Sequence, residues 1–275
     1  MVRILGGLVG IGFVLALLFG IYDTLSNGMK VAPTAEHEFH EHPKKVDFSF
    51  DGFLGKYDNR QLQRGLQVYK EVCAACHSLR LVSFRDLEAL GYDAGQVKTI
   101  AKGFQVASVN PETGEPATRD GLPSDRFPLV YPNEVAARAA NNNAIPPDLS
   151  LMAKARHDGP AYIYSLLTGY QAQPAALLKE FPDAKTPEGL HYNPYFATLN
   201  LAMAQPLKDG QVTYTDGTPA KLNNYAQDIA AFLAWTAEPK LQARKTAGLA
   251  TALFLLIFCF LTYGAYKSIW RNVKH

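Results

Sequence analysis

The sequence predicts a mainly α-helical polar domain carried on a C-terminal membrane helix, with a second apolar helix, a signal-anchor, at the N-terminal end. Three observations predict it. Nineteen residues from Ile4 to Tyr22 and twenty-one from Thr246 to Tyr266 carry no charge, whereas all 25 acidic residues lie between Asp23 and Glu238. Within that polar stretch apolar residues recur at helical spacing, as Leu62, Leu66 and Tyr69 do at i, i+4 and i+7. With 48% hydrophobic residues, 19% charged residues and three cysteines among 275 positions, the chain is neither disordered nor a disulfide-dense scaffold. The mean hydropathy of -0.09 averages over these unlike parts.

The N-terminal run, residues 1–22, exceeds the roughly 7–15-residue core of a secretory signal, and no clear A-x-A site follows it. These features favour a retained signal-anchor, with a cleaved signal peptide as the alternative. Gly6, Gly7, Gly10, Gly12 and Gly20 suit close packing against another membrane helix. Residues 23–46 form a linker in which His37, His40 and His42 alternate with Glu36, Glu38 and Glu41. That cluster could hold a divalent metal, but a hydrated linker explains it more simply.

The polar domain, 47–240, should contain helices near 60–80, 133–142, 148–158, 160–169 and 223–237. Residues 103–132 and 170–200 are rich in Pro, Gly and Asp and read as long surface loops, while alternation around an Asp-Gly turn suggests a small hairpin at 211–220. The C-terminal run, 246–266, would span roughly 31 Å at about 1.5 Å per residue, against about 30 Å of hydrocarbon. Arg244 and Lys245 flank one end, and Tyr263, Tyr266, Lys267, Trp270 and Arg271 mark the other as interface anchors. A basic tail, 267–275, follows.

Charge excludes one partner class. Residues 23–240 hold 21 Lys+Arg against 25 Asp+Glu, a net of -4, and the whole-chain +2 comes from Arg3, Arg244, Lys245, Lys267, Arg271 and Lys274. A mildly acidic domain with no basic stripe is no nucleic-acid binder.

Chemistry concentrates in Val-Cys-Ala-Ala-Cys-His-Ser. Cys73, Cys76 and His77 form C-x-x-C-H, the attachment signature of a c-type haem. Two thiols three residues apart on one helical face can reach the two vinyl groups of one porphyrin, and the adjacent imidazole can then meet the iron as proximal ligand. A zinc site would need two more ligands, and the one remaining cysteine, Cys259, lies in the apolar helix. The preceding residues read as helix, which argues against a thioredoxin-like βαβ setting. Thioether bonds to haem are made outside the cytoplasm. The polar domain therefore belongs on the periplasmic or intermembrane-space side and the basic tail inside, a choice that the tied lysine and arginine counts around the C-terminal helix leave open.

The sixth ligand separates electron transfer from catalysis. Met1 and Met29 adjoin the N-terminal apolar run. Met152 falls in an expected helix, and Met203 falls between Pro194 and Pro206, where a loop can lay a thioether across a haem face. Position alone favours Met203; Met152, His157 and His191 stay open.

The stretches DFSFDGFLGKYDNRQLQRGLQVYKEVCAACHSL, NEVAARAANNNAIPPDLSLMAKARH, YIYSLLTGY, NPYFATLNLAMAQPL, DGTPA and AFLAWTAEPKLQARK, in this order, resemble the cytochrome c1 family of the cytochrome bc1 complex, in its alphaproteobacterial form. The resemblance implies a c-type cytochrome fold with long loop insertions. It implies thioether bonds at Cys73 and Cys76, His77 and Met203 as the two axial ligands, Arg156 at a haem propionate, and Asn141, Pro146, Pro147 and Tyr162 lining the haem cleft. It also implies one-electron transfer from a Rieske iron–sulfur protein to a soluble or membrane-anchored cytochrome c, as the electron-transfer subunit of ubiquinol–cytochrome c reductase. Cytochrome b and the lipid bilayer would be further partners, in a dimeric complex of the bacterial inner membrane. Glu112, Glu115, Asp120 and Asp125 form an acidic cluster that could steer a basic cytochrome c. Some bacterial members carry a disulfide between the haem motif and the methionine ligand; this chain has no cysteine there, so packing must hold Met203. A stand-alone anchored cytochrome shuttle, or a haem sensor or peroxidase with an exchangeable ligand, are the competing expectations.

Overall fold

The computed structural model describes residues 2–27 and 33–273. Met1, Met29, the 28–32 part of the linker and the last two tail residues, Lys274 and His275, lie outside the described residues. The chain divides into one unit ending at Phe39 and another beginning at His40.

In the first unit, α1 (Val2–Asn27) is one unbroken apolar helix of 26 residues, about 39 Å long at 1.5 Å per residue. A short helix, α2 (Ala35–Phe39), lies inside the stretch read as linker.

The second unit is built on a crossing of two helices. Asp58 starts α3 (Asn59–Glu71) by accepting the Arg60 N–H at 3.0 Å, a short polar cap that satisfies an otherwise orphaned donor. The expected stripe Leu62, Leu66 and Tyr69 is buried, together with Gly65 and Val68. A 3₁₀ segment, Phe84–Leu90, and α4 (Ala94–Lys102), capped by Asp93 and Gln96, follow. Phe84, Phe104 and Phe127 gather into an aromatic cluster that also takes in Tyr69.

Next come strands β1 (Gln105–Val109) and β2 (Pro116–Asp120), paired antiparallel with Ala107 opposite Thr118. Three helices follow: α5 (Glu134–Ala140), α6 (Met152–Ala155) and α7 (Gly159–Thr168). Then come α8 (Ala175–Glu180) and the two-residue pair β3 (His191–Tyr192) and β4 (Asn200–Leu201).

The core helix is α9 (Leu222–Ala237), against which α3, α6 and α7 pack. Every residue from Asp228 to Ala237 is buried, so α9 is apolar nearly all round, as a central helix must be. Its one carboxylate, Asp228, is held in a two-bonded fork by Arg64 from α3, at 2.8 and 3.1 Å. The last helix, α10 (Leu241–Trp270), is 30 residues long with its apolar stretch fully exposed, as a membrane-spanning helix presents itself.

Three local expectations are corrected. The helix expected over 60–80 stops at Glu71. The helix expected over 148–158 is a single turn, because Asp148 bonds the Ser150 amide in a local turn before it and Asp158 adopts a left-handed conformation (φ 59°) after it. The hairpin expected at 211–220 is absent: Val212 and Tyr214 alternate because both are buried on α9, where the Tyr225 hydroxyl takes the Val212 amide. Asp216 is spent on Thr218 and Arg64 instead of a hairpin turn. The real hairpin, β1–β2, lies inside the stretch read as loop, its strands joined by a turn in which Gly114 takes φ 73°.

Candidate functional site

The haem motif hangs from the C-terminal end of α3. Val72 leaves the helical conformation (φ −124°, ψ −60°), and Cys73–Ala75 tighten into a 3₁₀ turn. The Cys73 carbonyl accepts both the Cys76 and His77 amides, at 3.1 and 2.9 Å. This fold-back, rather than one α-helical face, gathers two free thiols and an imidazole within five residues. Cys73 is half-buried and Cys76 exposed; burial pushes the Cys73 thiol up to about 12.

His77 is oriented from several sides. Its Nδ1 lies 2.8 Å from the Pro147 carbonyl oxygen, and the Tyr69 hydroxyl donates to the His77 carbonyl at 2.9 Å. A carbonyl can only accept, so Nδ1 carries the proton and Nε2 is left with a free lone pair, the arrangement that metal-binding histidines use. Burial lowers the imidazole's pKa against the opposing pull of the Pro147 carbonyl and Asp148, which keeps it neutral, the ligating form.

Pro147 is itself placed by a short zip of bonds between 78–81 and 148–150. Leu149 N–H donates to the Ser78 carbonyl at 2.9 Å, Arg80 N–H to the Asp148 carboxylate at 2.9 Å, and Leu81 N–H to the Ser150 hydroxyl at 3.1 Å. The Ser78 hydroxyl accepts the Val130 amide at 3.0 Å. Sequence reading missed Ser78, Asp148 and Ser150. The Pro-Pro-Asp-x-Ser pattern signals a local turn, but nothing in it says which segment the turn will dock against.

Met203 lies in a bend just after β4, partly buried against the core. The Tyr170 hydroxyl donates to its carbonyl at 2.9 Å, and burial beside Tyr162 raises the Tyr170 phenol. Tyr170, at the foot of α7, is a second residue that sequence reading missed. The chain between them is also pinned. The Gln173 side chain bonds Ala184 and Thr186, Thr186 bonds Asn200, and buried Asn193 donates to the Leu166 carbonyl at 2.7 Å. Packing and polar bonds thus hold this segment without a disulfide.

The remaining expected residues divide. Tyr162, on α7, is partly buried against the core. Pro146 is half-buried, and Ile145 and Pro147 are exposed next to the His77 contact. Asn141 is occupied locally, its amide donating to the Ala137 carbonyl at 2.7 Å and its oxygen accepting from Tyr131 at 3.4 Å, so it finishes α5. Arg156 is exposed, its Nη1 donating to the Ala155 carbonyl at 3.1 Å. Met152 packs partly into the core from α6. His157 Nδ1 faces Asp158 at 2.9 Å, and His191 sits exposed on β3, paired with Leu201.

Among the described residues no group of three His, Cys, Asp or Glu side chains could hold a metal ion; the His37 ring faces Glu38 at 3.3 Å, both exposed. In the acidic cluster Glu112 and Glu115 lie on the β1–β2 turn, Asp120 accepts from Gln105, and Asp125 is paired with Arg119.

The donor set fits a covalently held iron porphyrin: two uncommitted thiols, an imidazole with a free Nε2, and exposed apolar side chains beside it. Comparison with known proteins points the same way. A sequence model of the Cytochrome C1 family matches residues 48–273. Cytochrome c1 of Rhodospirillum rubrum is 42% identical over 245 residues, covering 84% of this chain and 88% of that one. The mitochondrial cytochrome c1 haem protein of Saccharomyces cerevisiae is 43% identical over 240 residues, 87% of this chain and 75% of that one. A Bradyrhizobium diazoefficiens protein named cytochrome b/c1 is 44% identical over 251 residues; these cover 86% of this chain but 36% of that protein, so the match spans about a third of its length.

Proposed function

The chain belongs to the cytochrome c1 family, the haem subunit of the cytochrome bc1 complex, and from that premise we propose that it passes single electrons from a Rieske iron–sulfur protein to a cytochrome c. The family carries haem c covalently, and the keyed residues for it here are Cys73 and Cys76 as thioether bonds and His77 Nε2 as proximal ligand. Met203 is the distal ligand and Arg156 the propionate partner. What the bound group supplies is a one-electron iron couple, raised in potential by thioether ligation.

The chain's own part is positional. Pro147 fixes the His77 tautomer through the 2.8 Å contact, which is the observation that carries the reading. Tyr170 holds the backbone of Met203. Arg156 is exposed and its guanidinium donates to the Ala155 carbonyl through Nη1, which leaves further donors for a carboxylate. With His77 and Met203 both as ligands, a bound haem would offer O₂ and peroxide no open site, which disfavours sensor and peroxidase roles.

In this reading 47–240 is the haem domain on the periplasmic side, α10 spans the bacterial inner membrane and the tail is cytoplasmic. Residues 1–22 are a retained signal-anchor, so sequencing the purified protein returns the native N-terminus; a start between 23 and 36 overturns retention. Cytochrome b, the Rieske protein and a dimeric assembly complete the setting. Met203→Leu tests the ligation: haem stays attached, the potential falls and the red-end charge-transfer band of the ferric form is lost. An unchanged potential removes Met203 from the ligand set. Co-purification with cytochrome b and the Rieske protein tests the assembly, and a c-haem that purifies alone overturns it.

A further inference from the structure

Lys245 stands at the start of the uncharged part of α10, where the helix meets the membrane surface. Its ammonium is turned back into the polar domain. It donates to three carbonyls of one turn, those of Phe50 at 2.7 Å, Gly52 at 2.5 Å and Gly55 at 3.2 Å. The turn, residues 49–55, is built rather than loose. Asp51 accepts the Phe48 amide at 2.8 Å, Lys56 N–H donates to the Ser49 carbonyl at 3.0 Å, and Gly52 takes φ 68°. Gly55 is packed so tightly that a Cβ would stand 2.0 Å from the Asp51 oxygen. Phe50 stacks on Phe48 and packs at a tilt against Tyr57, whose hydroxyl lies 3.2 and 3.1 Å from the Ala234 and Glu238 carbonyls at the end of α9.

This fixed turn presents its two largest apolar side chains outward. Phe53 is 60% exposed and Leu54 75% exposed. They sit between two of the carbonyls that grip Lys245, so their backbone lies within about 8 Å of the ammonium. The interfacial zone of a bilayer is about 5–7 Å thick on each side, the difference between hydrocarbon and total thickness. Lys56 and Lys240, both exposed, supply positive charge near the same level, suited to lipid phosphates.

We propose that the 49–55 turn is a membrane foot: Phe53 and Leu54 insert into the lipid interface on the haem-domain side, with Lys245 as the joint that sets the domain's height over α10. The occupant of this apolar tip is lipid, continuous with the lipid around α10.

The test uses the full haem-loaded chain in phosphatidylcholine–phosphatidylglycerol vesicles, with Cys259→Ala removing the spare thiol. A spin label is attached through Leu54→Cys, and through Glu112→Cys as a water-facing reference. The ratio of oxygen to nickel-chelate collisions at position 54 is expected several-fold above that at position 112, and lower once Lys245→Met loosens the joint. Equal ratios at 54 and 112 overturn the proposal. So does a label at 54 that is open to the nickel chelate in vesicles and shielded from both reagents only in the assembled complex, since a protein partner then covers the tip.

Discussion

Gly65 sits where α3 crosses α9, and its replacement by alanine sets two effects of opposite sign against each other. A Cβ there would stand 2.2 Å from the Asp228 carbonyl oxygen and 2.5 Å from the Phe232 Cβ. Carbon contacts prefer about 3.5–4.0 Å, so the helices must part by more than about 1 Å. Neither obstacle is the free end of a side chain, so it cannot swing away. Helix propensity by itself favours Gly65→Ala by about 1 kcal/mol. Overpacking a close-fitted core costs about 1–3 kcal/mol, and with backbone as the obstacle the upper part of that range applies. The net expectation is a loss of about 1–2 kcal/mol, or a fall in Tm of about 2–8 °C for a domain of this size. Thermal melts of the haem-loaded full chain in detergent, followed by far-UV circular dichroism at one scan rate, read the difference. A variant that melts at or above the parent temperature refutes the argument, because propensity alone would then account for it.

Other perturbations test separate contacts. Tyr170→Phe removes the hydroxyl that supports Met203 and strands its carbonyl, at a cost of about 1–3 kcal/mol to the closed segment; the red-end charge-transfer band should disappear at a lower temperature than in the parent, and an unmoved transition would show that Tyr170 does not position the methionine. Asp228→Ala leaves Arg64 with only the more exposed Asp216 and should cost about 2–4 kcal/mol, whereas Arg64→Met with Asp228→Leu should recover most of it in urea melts; equal losses in both variants would count against a buried-charge origin. The Arg119 guanidinium, followed by the Leu122 amide, holds the Asp125 carboxyl down at about 2. A depressed folded value means the pair's stabilisation is present above about pH 4 and lost as pH falls through about 2. The protection factor of the Leu122 amide, which donates to Asp125 at 2.8 Å, should fall over that window and become flat with pH in Asp125→Asn; unchanged protection in the parent would remove the link.

The site was legible in proportion to how local its chemistry is. Cys73, Cys76 and His77 lie within five consecutive residues whose meaning is in their order, and no tertiary information was needed to find them. Met203 was singled out as the proposed second ligand because methionines are few and one of them falls between prolines. The residues that hold these groups in place were not reachable. Ser78, Asp148 and Ser150 act on Leu149, Arg80 and Leu81, each about seventy residues away, and Tyr170 meets Met203 across thirty-three. Nothing in a hydroxyl's own neighbourhood announces such a partner. Asn141 is fixed by nearer neighbours: its amide donates to the Ala137 carbonyl and accepts from the Tyr131 hydroxyl.

The same division runs through the fold. Hydrophobic period and charge placement are properties of neighbours a few residues apart, so the sequence by itself determined the apolar helices at the two ends, the α3 stripe, α7 and α9, and the attachment motif. Pairing between distant segments depends on which surfaces fit, and only the tertiary structure decided it. Val212 and Tyr214 alternate like a strand but spend that pattern on α9. Residues 105–120, which read as loop, find each other as a hairpin. The haem motif leaves its helix because Leu149 and Pro147 take up Ser78 and His77. Lys245, which in sequence only flanks a membrane helix, ties that helix to the domain, because three backbone carbonyls are brought to its ammonium.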